Sequence, residues 1–152
     1  MSLEATLEHK RMVNLLIGDV IKELVDRANH HDDSKLESVE ADAFDKMSPK
    51  LHEETYNSVE YKELLEKELK AALVHHYARN RHHPEHFENG IQDMDLIDLI
   101  ELFCDWKASS LRQDDGNLLK SIDSNQERFH FSKELAMIFK NTARFFEVQP
   151  WI

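Results

Sequence analysis

Apolar residues recur at helical rather than strand spacing along the whole chain. From Leu3 to Arg27, the residues Val13, Leu16, Ile17, Val20, Ile21 and Leu24 fall three and four apart, which predicts an amphipathic helix. His9 extends that stripe by one step. The polar run Asn29-His30-His31-Asp32-Asp33-Ser34-Lys35 breaks the pattern, and Ser34 with Glu37 has the form of a capping box. A second helix is therefore expected to carry Leu36, Val39, Ala43, Phe44 and Met47 inward and to stop near Ser48-Pro49, with a loop or short helix over 50–58. A third, Val59 to Arg81, aligns Leu65, Leu69, Ala72 and His76, and Pro84 is expected to end it near Arg81 or His82. Residues 84–92 read as a turn region. In a fourth helix, Asp93 to Ser110, apolar residues cover most of the circumference, the pattern of a buried helix. Asp98, Glu101 and Asp105 interrupt it as one acidic stripe, which is either a narrow solvated face or a line of carboxylates aimed at a cleft. After a loop over Gln113 to Asn117 come a short helix, Leu118 to Glu127, and a longer one after Ser132 with Leu135, Ile138, Phe139, Thr142 and Phe146 inward. The pattern predicts an all-α fold, one compact domain of five to seven helices over residues 1–152.

Composition narrows the possible partners. Three glycines, three prolines and 32% charged residues are the balance of a soluble helical protein. A net charge of -11 argues against general nucleic-acid or anionic-membrane binding, since both need a basic surface. A small anionic substrate stays compatible with it, provided metal ions and local Lys and Arg reverse the sign in one cleft. A single cysteine, Cys104, removes an internal disulfide and thiolate metal motifs. No signal peptide and no membrane span is read, so a cytoplasmic location is expected.

The chemistry concentrates in Val74 to His86, which holds five of the chain's 10 histidines. His75 and His82, or His76 and His83, are seven apart, two turns of a continuous helix. Neutral imidazole suits borderline transition metals. A helical metal site needs imidazoles and carboxylates converging from several helices. This chain offers His9, the adjacent His31-Asp32, the histidines of 75 to 86, and Asp105. Lys35 lies one turn beyond Asp32, and Arg79 and Arg81 are forked donors suited to phosphate.

The order His9, His31-Asp32, a histidine group and Asp105 resembles the HD-domain superfamily of helical metal-dependent phosphohydrolases. His31-Asp32-Asp33-Ser34-Lys35 is similar to the His-Asp-x-Gly-Lys stretch of several branches, with Ser34 in place of the Gly. Leu102-Phe103-Cys104-Asp105-Trp106 resembles the apolar helix around that family's distal Asp. The histidine pairs stand closer together than in the dinuclear branches, so the choice among His75, His76, His82, His83 and His86 as ligands stays open.

The chain is also similar to an uncharacterised family of bacterial and bacteriophage proteins bearing Asn-Arg-His-His-Pro-Glu-His, here Asn80 to His86, with Glu127-Arg128-Phe129 and Asn141-Thr142 further on. The HD resemblance implies hydrolysis of a phosphate ester, a nucleotide or nucleotide-like compound, by one or two divalent ions (Mn, Fe, Co, Ni, Zn or Mg). The implied ligands are His9, His31, Asp32, His76, His83 and Asp105, with Asp32 bridging two ions or serving one. Lys35, Arg79 and Arg81 are the expected phosphate contacts. Asp33, Glu37, Glu85 and Glu101 are the candidates for moving the proton. Two alternatives are a di-iron oxygenase on the same ligands and a non-enzymatic protein that binds metal or a small molecule.

Overall fold

The computed structural model describes residues 2–53, 59, 63, 69–112 and 116–148. The described residues form an all-α fold: α1 (Leu3–His30), α2 (Ser38–Glu53), α3 (Lys70–Arg79), α4 (Leu96–Leu111), α5 (Leu118–Phe129) and α6 (Lys133–Val148). Short 3-10 turns at Asp33–Leu36, Pro84–His86 and Gly90–Asp93 join them.

The main core lies between α4, α5 and α6. Leu102, Phe103 and Trp106 of α4 meet Leu118 and Ile122 of α5 and Ala136, Phe139 and Ala143 of α6. Phe103 stacks on Phe139 with ring centroids 5.6 Å apart. Local chemistry fixes the starts of these helices. Asp95 caps α4 in a full capping box with Asp98, and Asn117 caps α5 through Lys120 N. Apart from that core, α2 packs on α3, and Met47, Leu69 and Ala72 are buried.

Several expectations change. α1 continues to His30, three residues past Arg27, and buries none of its residues fully; of its apolar stripe only Leu24 is partly covered among the described residues. Ser34 is no helix cap: it is buried in the 3-10 turn, and α2 begins at Ser38. The register of α2 is set by Glu40, which is fully buried, while Leu36 and Val39 point to solvent. Pro49 does not stop α2, whose backbone runs on to Glu53. The Leu69, Ala72 and His76 stripe is buried as expected, and Leu65 lies outside the described residues. α3 ends at Arg79, before the position expected from Pro84; the Asn80 side chain donates to His76 O at that end, and Pro84 starts a 3-10 turn of its own. On α6 the buried line is Ala136, Phe139 and Ala143, whose small alanines let the helix approach α4 and α5. Ile138 and Thr142 turn outward.

Candidate metal centre

The end of α1, the Asp33–Leu36 turn, α2, α3 and α4 converge on one cluster. His31 follows the last residue of α1, and Asp32 takes a left-handed backbone conformation with φ 60°. Asp tolerates that region better than most residues, and the sharp turn brings Asp32 back over the helix ends. His76 comes from the last turn of α3. Asn80 ends α3, and its side-chain amide donates to His76 O (2.8 Å) and Ser34 Oγ (2.7 Å). The chain then swings round so that His82 and His83, both outside a helix, face the same point. Glu101 and Asp105 reach it from α4.

Four donor atoms meet there. Asp32 Oδ1 is 3.3 Å from His76 Nε2 and 3.5 Å from His82 Nε2. His83 Nε2 is 2.9 Å from His76 Nε2. All four residues offer one ligand atom within 4.8 Å of the others. Asp32 Oδ1 and His82 Nε2 are buried and have no hydrogen-bond partner among the described residues.

The surroundings decide where the ring protons sit. His76 Nδ1 lies 2.9 Å from Glu40 Oε2, and His75 Nδ1 lies 2.6 Å from Glu40 Oε1. Burial pushes the Glu40 carboxyl up, but hydrogen bonds from His75, Ser34 and His76 outweigh it and hold it ionised. An ionised acceptor fixes the proton of His76 on Nδ1 and leaves a lone pair on Nε2. Burial lowers His76 further, favouring the neutral ring.

Glu101 does the same for His82. Its Oε1 is 3.0 Å from His82 Nδ1 and 2.9 Å from His31 Nδ1, and its Oε2 accepts from Arg27 at 3.1 Å. Burial raises the Glu101 carboxyl, and these donors more than reverse it, to well below the usual carboxylate range. His31, His82 and Glu101 also satisfy the spacing of a metal group. Their facing atoms are two N–H donors on one carboxylate oxygen, so this trio is a hydrogen-bonded support. Burial, then His82 and His76, push His83 down to about 3, so all that it can offer near neutrality is a neutral imidazole.

His31 stands differently. Its Nε2 faces Asp32 Oδ2 at 3.5 Å and Asp105 Oδ1 at 3.7 Å. Asp105 and Glu101 raise it to about 10. Carboxylates that stabilise a proton at Nε2 stabilise any cation there.

Of the expected ligands, His31, Asp32, His76, His83 and Asp105 come together. His9 does not. It lies on the exposed part of α1, 22 residues before His31 on an almost wholly helical stretch, which at ~1.5 Å per residue puts it roughly 33 Å away along the helix axis. Its ligand role within one chain is therefore corrected. Lys35 Nζ donates to Asp32 Oδ2 at 2.6 Å, beside the cluster. Arg81 instead forms a fork on the fully buried Asp98, with Nε and Nη2 at 3.0 and 2.8 Å. Arg79 is exposed, 3.8 Å from Glu37. Asp33 is exposed on its turn, and Glu85 pairs with Arg128 of α5. Glu101, expected to move a proton, is occupied by three donors and acts as an acceptor.

The sequence named His82 only as one of five open candidates and Ser34 only as a helix cap, and it assigned no site role to Glu40 or Asn80. An i, i+7 argument puts His82 and His83 on different faces, and only a helix end before them turns both inward; Pro84 was the signal, and its effect begins earlier than supposed. Glu40 sits among apolar neighbours, with no pattern that marks it as buried.

No curated protein and no solved structure matches the chain. Residues 1–147 match DUF5662, a family of unknown function, and the chain belongs to that family.

Proposed function

We propose that the chain is a metal-dependent phosphohydrolase of HD type, acting on a small phosphate ester, foremost a nucleotide or nucleotide-like compound. The observation that carries the metal part is the pair Asp32 Oδ1 and His82 Nε2, both buried and unsatisfied, facing the Nε2 atoms of His76 and His83. Aligned lone pairs repel one another, and burying them unpaired costs roughly 1–3 kcal/mol each. A divalent cation removes both penalties. Asp32, His76, His82 and His83 would hold the first ion. His31, whose Nε2 lies 3.5 Å from Asp32 Oδ2 and 3.7 Å from Asp105 Oδ1, would with those two carboxylates hold any second ion. Three imidazoles and one carboxylate suit Mn, Fe, Co, Ni or Zn better than Mg.

When bound, such ions supply Lewis acidity toward a phosphoryl oxygen and a water acidic enough to act as nucleophile near neutral pH. The protein's own part is positioning. Glu40 and Glu101 hold the ring protons away from the donor atoms, and Arg27 keeps Glu101 ionised. Lys35, at the edge of the cluster, is placed to move from Asp32 onto a phosphoryl oxygen as a point charge. The overall acidity of the chain makes that local cation necessary for an anionic substrate.

The same donor set also suits non-haem iron, which favours an oxygenase as the second reading. Metal-stripped protein should be titrated with Mn²⁺, Co²⁺, Fe²⁺ and Zn²⁺ by calorimetry, with the visible spectrum of Co²⁺ reporting imidazole and carboxylate ligands. Loaded protein should then be assayed on a panel of phosphate esters and nucleotides. Binding followed by phosphate release supports hydrolysis. Fe²⁺-dependent O₂ uptake with no phosphate release moves the assignment to the oxygenase. Stoichiometric binding with neither activity marks a metal-binding protein, and no binding of any ion overturns the centre itself.

A further inference from the structure

α1 carries a surface that no described residue covers. Val13, Leu16, Ile17, Val20, Ile21 and Val25 are 38–60% exposed, and α1 has no buried residue. At about 100° per residue, these positions with Leu3, Leu7 and Met12 fill more than half of the helix circumference. Glu4, Glu8, Arg11, Asp19, Lys22 and Asp26 gather on the opposite side. Helix propensity alone does not hold such a stripe in water, and a monomer rarely leaves a contiguous apolar patch of this size open.

We propose that this face is the seat of a second copy of the same chain, with the two α1 helices packed antiparallel. Charge selects the occupant. α1 holds five acidic and four basic residues, a net charge of -1 out of the chain's -11. Two copies repel each other over their acidic bodies and least of all along α1. A basic partner would be drawn to the body instead, and an anionic membrane would be repelled by it. Area agrees with this choice. Nine large apolar side chains on the arc are about half exposed, and at roughly 100 Å² each they offer on the order of 450 Å² per copy. A standard interface of ~800 Å² per partner that is ~65% apolar needs on the order of 520 Å². Direction follows from where the bodies attach. Arg27 and His31 tie the C-terminal end of α1 to α4. Antiparallel pairing therefore keeps the two acidic bodies at opposite ends of a helix ~42 Å long, and it opposes the helix dipoles.

Sedimentation equilibrium of the full chain tests the proposal. Wild type should sediment as a dimer, and Leu16→Glu with Val20→Glu should be monomeric with helical circular dichroism retained. Lys22→Glu, on the charged side, should remain dimeric. In a Cys104→Ser background, Val13→Cys near the middle of the stripe should form a disulfide-linked dimer, and Leu3→Cys should not. The cross-link needs no change to the apolar face as a whole, so it decides the matter even if the glutamate variant fails to fold. A monomeric wild type, a dimer indifferent to the glutamates, or efficient Leu3→Cys cross-linking overturns the arrangement. Flotation of monomeric wild type with phosphatidylcholine and phosphatidylglycerol vesicles would give the face to lipid instead.

Discussion

Asp32 Oδ1 and His82 Nε2 stand 3.5 Å apart, both buried and both without a hydrogen-bond partner among the described residues. Two acceptors in that relationship repel each other, and folding tolerates them only if another term holds the cluster together. Here the supports are visible on the far side of each group: Lys35 on Asp32 Oδ2, and Glu101 on His82 Nδ1. The donor atoms are left free while the rest of each side chain is tied down, as the proposed metal centre requires.

Asp32→Ala and His82→Ala should therefore separate folding from metal binding. Wild type should be stabilised by about 2.7 kcal/mol when the ion is present at one hundred times its dissociation constant. Thermal melts with and without Co²⁺ or Zn²⁺ read that shift. Both variants should keep the helical spectrum and lose most of the metal-induced rise. A rise of wild-type size in either variant removes that residue from the ligand set.

Glu40→Gln should weaken metal binding without touching a ligand atom. Glu40 accepts from His75 and His76 with separate oxygens. A glutamine retains one acceptor, so one imidazole loses its anchor and the Nδ1 proton of His76 is no longer fixed. Loss of such a partner typically lowers affinity 10- to 100-fold. Calorimetry gives the affinity, and nitrogen chemical shifts of the imidazoles give the tautomer. Unchanged affinity together with an unchanged tautomer would show that Glu40 is only a buried ion-pair partner.

Helical periodicity carried much of the fold, because α4, α5 and α6 bury faces against one another and α3 buries one against α2. It failed where burial depends on a partner that periodicity does not encode. The α1 stripe was read correctly as apolar, yet of its residues only Leu24 is partly covered by the described chain. Glu40 was invisible because its burial is made tolerable by two histidines 35 and 36 positions away. The adjacency of His31 and Asp32 was informative, since a polar pair at a helix end can turn two side chains to one cluster. His9 misled, because order along the chain said nothing about a nearly continuous helix from Leu3 to His30 holding it far from the cluster. The acidic stripe split between roles: Asp98 ties arginines, Glu101 orients imidazoles, and Asp105 faces His31 beside the cluster.

Lys35→Ala should raise or preserve metal affinity while lowering turnover. Its ammonium sits 2.6 Å from Asp32 Oδ2 and competes with a cation for that carboxylate. Removing it leaves Asp32 more available. If Lys35 contacts a substrate phosphoryl group, loss of a charged hydrogen bond worth roughly 1.5–3 kcal/mol should lower kcat/KM by about ten- to a few hundred-fold. Calorimetry and phosphate release on the same preparations separate the two effects. Equal turnover in wild type and variant would confine Lys35 to tuning Asp32. Arg81→Ala, by contrast, should lose stability before it loses any contact with substrate, because Arg81 is engaged with Asp98.

Asp98→Asn should expose the second electrostatic support of the fold, and its effect should depend on pH. Asp98 is fully buried and receives Arg81 Nε and Nη2, Arg27 Nη1 and the backbone N–H of Asp95 at 2.8–3.1 Å. Burial pushes its carboxyl up. The hydrogen bonds from Arg81, Asp95 N and Arg27 more than compensate, so it is held below the ordinary 3.8. A carboxyl lowered in the folded state contributes stability that is complete above its unfolded value and is lost as pH falls through the folded one. Both arginines are partly exposed, so neutralising Asp98 should cost about 2–3 kcal/mol near neutrality, less than the ~3–5 kcal/mol of a fully buried pair. Urea unfolding of metal-free wild type and Asp98→Asn across the acid range measures the difference. It should be constant above about pH 5 and narrow as wild type itself takes up the proton, below the ordinary carboxylate value. A difference that keeps its full size to the lowest pH at which the fold survives would mean that the asparagine acts through packing at the start of α4, and that the charge of Asp98 contributes nothing.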